Sequence, residues 1–118
     1  SPDEKFLYVN KMGAPFSNSD SEIIKIDLTT NRSETLYNGN DLVAKYSNGT
    51  DFDGMDVHSS GYIFTSGTGG LLVISSEGEL MARINTGQIT NCAFNEDESY
   101  LYITGFLNNP KLFRIKME

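Results

Sequence analysis

Chemistry in this chain is most concentrated in the stretch DFDGMDVHSSGYIFTSG, residues 51–67, where two aspartates flank a phenylalanine and a glycine follows. Asp53 reads in two ways: as a hard oxygen donor for a metal at the mouth of a site, or as the polar half of an Asp-Gly turn. An EF-hand loop is excluded. Counting from Asp51, position 12 falls on Tyr62 where the loop needs an acid, and the glycine comes at position 4 instead of 6.

The other reactive side chains narrow the options. His58 is the single histidine, so a Ser-His-Asp triad would have to use it. It lies in a His-Ser-Ser-Gly turn with no nucleophile motif beside it and reads as an exposed hairpin histidine. Cys92 is the single cysteine, which rules out an intrachain disulfide and a thiolate metal cluster. On a strand it is a small buried side chain by default. Thr90 and Asn91 precede it at the start of that strand and are candidates for substrate contact or for support of a ligand. Ser-Gly-Thr-Gly-Gly at 66–70 lacks the Lys-Ser/Thr pair of a phosphate loop and reads as a hairpin turn.

The elements that must position these residues are short strands. FLYVN, IIKID, YIFTS, LLVIS, YLYITG and LFRIKM are β-branched or aromatic runs bounded by Gly, Asn, Asp and Ser, with almost no helical periodicity. LVAKYS is either a short strand or one helical turn. The runs recur: PDEKFLYV at 2–9 matches EDESYLYI at 96–103, and GYIFTS at 61–66 gives the strand a third time. A second apolar strand follows each copy, and taking Ile23, Leu71 and Leu112 as equivalent gives spacings of 48 and 41 residues. Four strands per 40–50 residues is the period of a β-propeller blade.

With blade strands lettered A to D, Gly54–Val57 and Ile89–Phe94 are A strands. Phe6–Asn10, Tyr62–Ser66 and Tyr100–Gly105 are B. Ile23–Asp27, Leu71–Ser75 and Leu112–Met117 are C, and Thr35–Tyr37 and Leu80–Ile84 are D. The expected fold is all-β, a partial β-propeller of about two and a half four-stranded blades. An incomplete blade spans 1–48, a complete one 49–87 and an incomplete one 88–118. The chain thus starts and stops inside its own repeat. The expectation is a piece of a larger propeller, or a fragment that completes a ring with copies of itself.

Bulk composition agrees with one domain or part of one. The 118 residues are 38% apolar, with seven Phe and six Tyr to build a core. No apolar run approaches the ~20 residues of a membrane helix, and SPDEKFLYVN is charged from its third residue, unlike a signal peptide. The net charge of −7 argues against nucleic acid, whose phosphates demand a basic surface. Asn31-Arg32-Ser33 and Asn48-Gly49-Thr50 match the glycosylation acceptor pattern, which arises easily by chance in so Asn- and Ser-rich a chain.

In this register the chain resembles the gluconolactonase / senescence-marker-protein (regucalcin-like) family of six-bladed propellers. SPDEKFLYV resembles the stretch after the family's Asn-Gly metal motif. FDGMDVHSSGYIFTSG resembles its Pro-Asp-Gly-Met pattern followed by Asp-x-x-Gly, and TNCAFNEDESYLYIT resembles the blade after it. The resemblance implies a divalent cation, usually calcium, in the central channel and hydrolysis of sugar lactones. It makes Asp53 a metal ligand and a catalytic carboxylate able to take a proton, and it places Thr90 and Asn91 toward the channel. The family's other ligands precede Ser1. Phe52 stands in place of the usual proline, and His58 where the family often has aspartate. The alternative reading is a non-catalytic propeller module, or a self-associating fragment, that binds through its channel face.

Overall fold

The computed structural model describes residues 1–13, 19–46, 51–106 and 110–118. Among these residues ten strands form three antiparallel sheets, with one short helix beside them. The first contains β1 (Phe6–Lys11), β2 (Glu22–Asp27) and β3 (Ser33–Asn38), and α1 (Asn40–Lys45) follows it. The second has β4 (Met55–Val57), β5 (Ile63–Gly67), β6 (Gly70–Ile74) and β7 (Leu80–Ile84) in sequential order. The third has β8 (Ile89–Phe94), β9 (Tyr100–Gly105) and β10 (Lys111–Lys116). The ambiguous LVAKYS stretch supplies most of α1, and the Asn48-Gly49-Thr50 pattern lies outside the described residues.

Among the described residues, several tight turns between strands take left-handed backbone. Gly61 takes φ +90° between β4 and β5. At the equivalent place between β8 and β9 stands Glu98, at φ 56°, a conformation that disfavours any residue with a Cβ. Strand pairing confirms the repeat register, because Ile23 faces Asn10, Leu71 faces Ser66 and Leu112 faces Thr104.

Burial identifies which sheet lies inside. All five residues of β5 are buried, since the second sheet is covered on both faces. Ile23, Phe52, Ile63, Leu72 and Ile74 pack between the first and second sheets. Phe64, Leu71, Ile89, Cys92, Leu101 and Ile103 pack between the second and third. The outer sheets alternate instead, with Leu7 50% exposed on β1 and Leu112 71% exposed on β10. Antiparallel sheets of sequential strands, stacked face to face through these two clusters, define a partial β-propeller.

Candidate functional site

Asp53 stands just before β4, where all three sheets converge, and its backbone is held on both sides. Its N–H donates to Ser66 Oγ at 3.0 Å, and its carbonyl accepts from Asn10 Nδ2 at 2.7 Å. One residue on, Gly54 N–H donates to the Thr90 carbonyl at 2.8 Å, and the Gly54 carbonyl accepts from Ser66 N–H at 2.9 Å. Gly54 has to be glycine: an added Cβ would lie 2.1 Å from Asn91 Oδ1 and 2.7 Å from Asn91 Cα. The Asp53 side chain, by contrast, is exposed, and its carboxylate has no hydrogen-bond or ion-pair partner among the described residues. The fold therefore brings Asp53, Thr90 and Asn91 to one place. Thr90 Oγ1 also lies 3.0 Å from Thr104 Oγ1, and Asn91 Oδ1 accepts the Cys92 N–H at 2.9 Å.

Two residues earlier, Asp51 does something different. It is 3% exposed, and its carboxylate accepts from Gly13 N–H, from Ser21 Oγ at 2.9 Å and from Phe52 N–H at 2.7 Å. It ties the loop after β1 to the second sheet. Phe52, the residue in the proline position, is 2% exposed and meets Tyr37 edge-on at 6.2 Å. Its ring fills space left by glycines; a Cβ at Gly39 would come within 2.7 Å of it. Phe52 thus serves the core, where the resemblance expects a proline.

Asn10, Ser66 and Thr104 were not singled out by motif. The signal that finds them is the repeat itself, since the equivalence of Ile23, Leu71 and Leu112 places these three polar residues at the same strand position. Asn10 Nδ2 also donates to the buried Thr65 Oγ1 at 2.9 Å, while its Oδ1 is buried with no partner.

The far end of β4 carries His58. Asp53 and His58 are five residues apart, roughly 16 Å along an extended strand, so the histidine is not part of the Asp53 site. Its Nδ1 accepts from Ser60 N–H at 3.1 Å and lies 2.7 Å from Ser60 Oγ. The imidazole thereby performs the turn-closing task of an aspartate in Asp-x-x-Gly. On its other side Nε2 lies 3.1 Å from Glu98 Oε2. The expectation of a merely exposed hairpin histidine is corrected on this point: only 25% of the side chain is accessible, and its ring packs on Phe94 at 5.1 Å. A cavity of about 380 Å³ opens here, lined by His58, Tyr62, Phe64, Glu98 and Met117 among others. Cys92 is buried, donates to the Phe64 carbonyl at 3.3 Å, and has its thiol pushed up to about 12, chiefly by burial.

A hard cation takes oxygen donors, and Asp53 offers one: a free carboxylate on fixed backbone. It fits a single position of a coordination shell. Among the described residues no group of three His, Cys, Asp or Glu side chains is placed to hold a metal, whereas Ca²⁺ takes ~6–8 oxygens.

The three stacked sheets define the class, a portion of a β-propeller with polar residues of all three sheets gathered around Asp53 and Gly54. A family model described as the SMP-30/gluconolactonase/LRE-like region matches residues 1–106, and the chain belongs to that family. No curated protein matches it. Among solved structures, a gluconolactonase from Xanthomonas campestris superposes with a TM-score of 0.74 at 24% identity, over 100% of this chain and 36% of that one. A luciferin-regenerating enzyme superposes with a TM-score of 0.69 at 18% identity, over 98% of this chain and 42% of that one. At these identities the likeness establishes the fold. The chain spans well under half the length of either protein.

Proposed function

We propose that this chain is part of a metal-dependent sugar-lactone hydrolase, with Asp53 as the carboxylate ligand at its channel. The observation that carries the reading is the contrast within Asp53 itself, a free exposed carboxylate on a backbone fixed at both peptide groups. Family membership supports the lactonase chemistry.

A bound divalent cation, Ca²⁺ by preference, would supply polarisation of the lactone carbonyl and an activated water. Asp53 would balance its charge and accept a proton as water adds to the carbonyl carbon. Thr90 and Asn91 lie beside Asp53 and present a hydroxyl and an amide, groups suited to sugar hydroxyls. The remaining cation ligands would come from the rest of the propeller, or from further copies of the chain.

The test is hydrolysis of glucono-δ-lactone by the full-length protein, with and without calcium, for wild type and Asp53→Ala. Calcium-dependent turnover that Asp53→Ala abolishes is the expected result. Equal turnover by both would reduce Asp53 to a turn residue.

A further inference from the structure

We propose that Asn10 is a positioning residue, which fixes the aim of the Asp53 carboxylate from the neighbouring sheet. The inference deepens the reading of Asp53 given above and rests on it.

Asn10 lies near the end of β1, 43 residues before Asp53. Its Nδ2 carries two hydrogens. One goes to the Asp53 carbonyl at 2.7 Å and the other to Thr65 Oγ1 at 2.9 Å. Because a carbonyl oxygen only accepts, the orientation of the amide is determined: nitrogen faces the second sheet. Both donors thus leave the sheet that Asn10 belongs to. The same orientation leaves Oδ1 buried without a partner, a state that folded proteins normally avoid. A residue needed only to end a strand would not be one with an orphaned acceptor. The donor pair is what this position requires.

The equivalent residue of the second sheet, Ser66, takes the other side of Asp53: its Oγ accepts the Asp53 N–H at 3.0 Å. Holding the N–H and the carbonyl of one residue fixes its φ and ψ, and hence the direction of its Cα–Cβ bond. What remains free in Asp53 is rotation about χ1 and χ2. A ligand whose backbone is fixed before binding loses less freedom when it binds, which is the physical content of preorganisation.

Asn10→Leu keeps the approximate shape and removes both donors without adding charge beside Asp53. The test is calorimetric titration of the full-length protein with calcium chloride alone, beside thermal unfolding of the cation-free protein. The variants are Asp53→Ala, Asn10→Leu and Glu98→Gln, the last loosening the tie between the second and third sheets at the opposite end. Asn10→Leu should weaken calcium binding about tenfold, the factor corresponding to one hydrogen bond of ordinary net strength. Glu98→Gln should lower the unfolding midpoint and leave calcium affinity unchanged. Should the leucine variant fail to fold, Asn10→Ser, too short to reach both acceptors, should show the same loss of affinity. If Asp53→Ala loses calcium binding while the Asn10 variants bind like wild type, Asn10 is only a tie between sheets and the inference is overturned. If Asp53→Ala itself binds like wild type, the reading of Asp53 falls, and the role of Asn10 falls with it.

Discussion

Asp51 and Asp53 are separated by one residue, and the structure gives them opposite consequences. Replacing Asp51 with Ala removes the acceptor shared by Gly13 N–H, Ser21 Oγ and Phe52 N–H. Ser21 is 1% exposed and Phe52 2%, so water cannot take over without opening the fold. An unsatisfied buried donor costs about 1–3 kcal/mol. Three sharing one acceptor, with partial relaxation, put the loss at roughly 3–6 kcal/mol, a large part of the ~5–15 kcal/mol that holds a domain together. Replacing Asp53 with Ala removes no side-chain hydrogen bond and leaves both backbone bonds intact, so stability should barely move. Urea unfolding of the full-length protein, followed by circular dichroism, measures the first effect; calcium titration measures the second. The expected pattern is a large shift in midpoint for Asp51→Ala and none for Asp53→Ala, with cation binding lost in the latter. Comparable destabilisation by the two variants would refute the assignment of one aspartate to structure and the other to the site.

Phe52→Pro should destabilise by at least about 3 kcal/mol, because it empties the space beside Gly39 and deletes an N–H that Asp51 uses; urea unfolding reads it. The Glu98 carboxyl lies below its ordinary 4.5, first because Ser59 Oγ donates to it, then through the Ser59 N–H and the His58 charge. A depressed folded value means that its contribution is present above 4.5 and is lost as pH falls through the lower folded value. Unfolding midpoints should therefore drop below about pH 4.5 less steeply in Glu98→Gln than in wild type, and parallel pH profiles would contradict this. Cys92, with its thiol near 12 and its sulfur buried, should resist thiol reagents at pH 8 in the folded protein and react fully in denaturant. Rapid labelling of the native protein would show that the strand opens.

Strand positions were legible in the sequence because each strand is a β-branched or aromatic run bounded by turn residues, and the runs repeat. That periodicity placed β1, β2 and the hairpins of the later sheets within a residue or two, and it carried the propeller architecture. It also contained Asn10, Ser66 and Thr104 as equivalent positions, although nothing in their residue types marked them. The local chemistry of Thr90 and Asn91 was likewise readable as polar residues at a strand start.

Only the tertiary structure separated Asp51 from Asp53. Both precede β4, both are aspartate, and a linear pattern has no means of telling a buried acceptor from an exposed carboxylate. The difference arises from Gly13 and Ser21, which lie 38 and 30 residues away and close over Asp51 alone. The same holds for the reach of Glu98 to Ser59, which appears only when two hairpins 39 residues apart are stacked. Hydrophobic alternation acts within a strand and leaves its imprint on neighbouring residues. Hydrogen bonds between sheets join residues that no sequence period connects, so the roles they assign emerge only on folding.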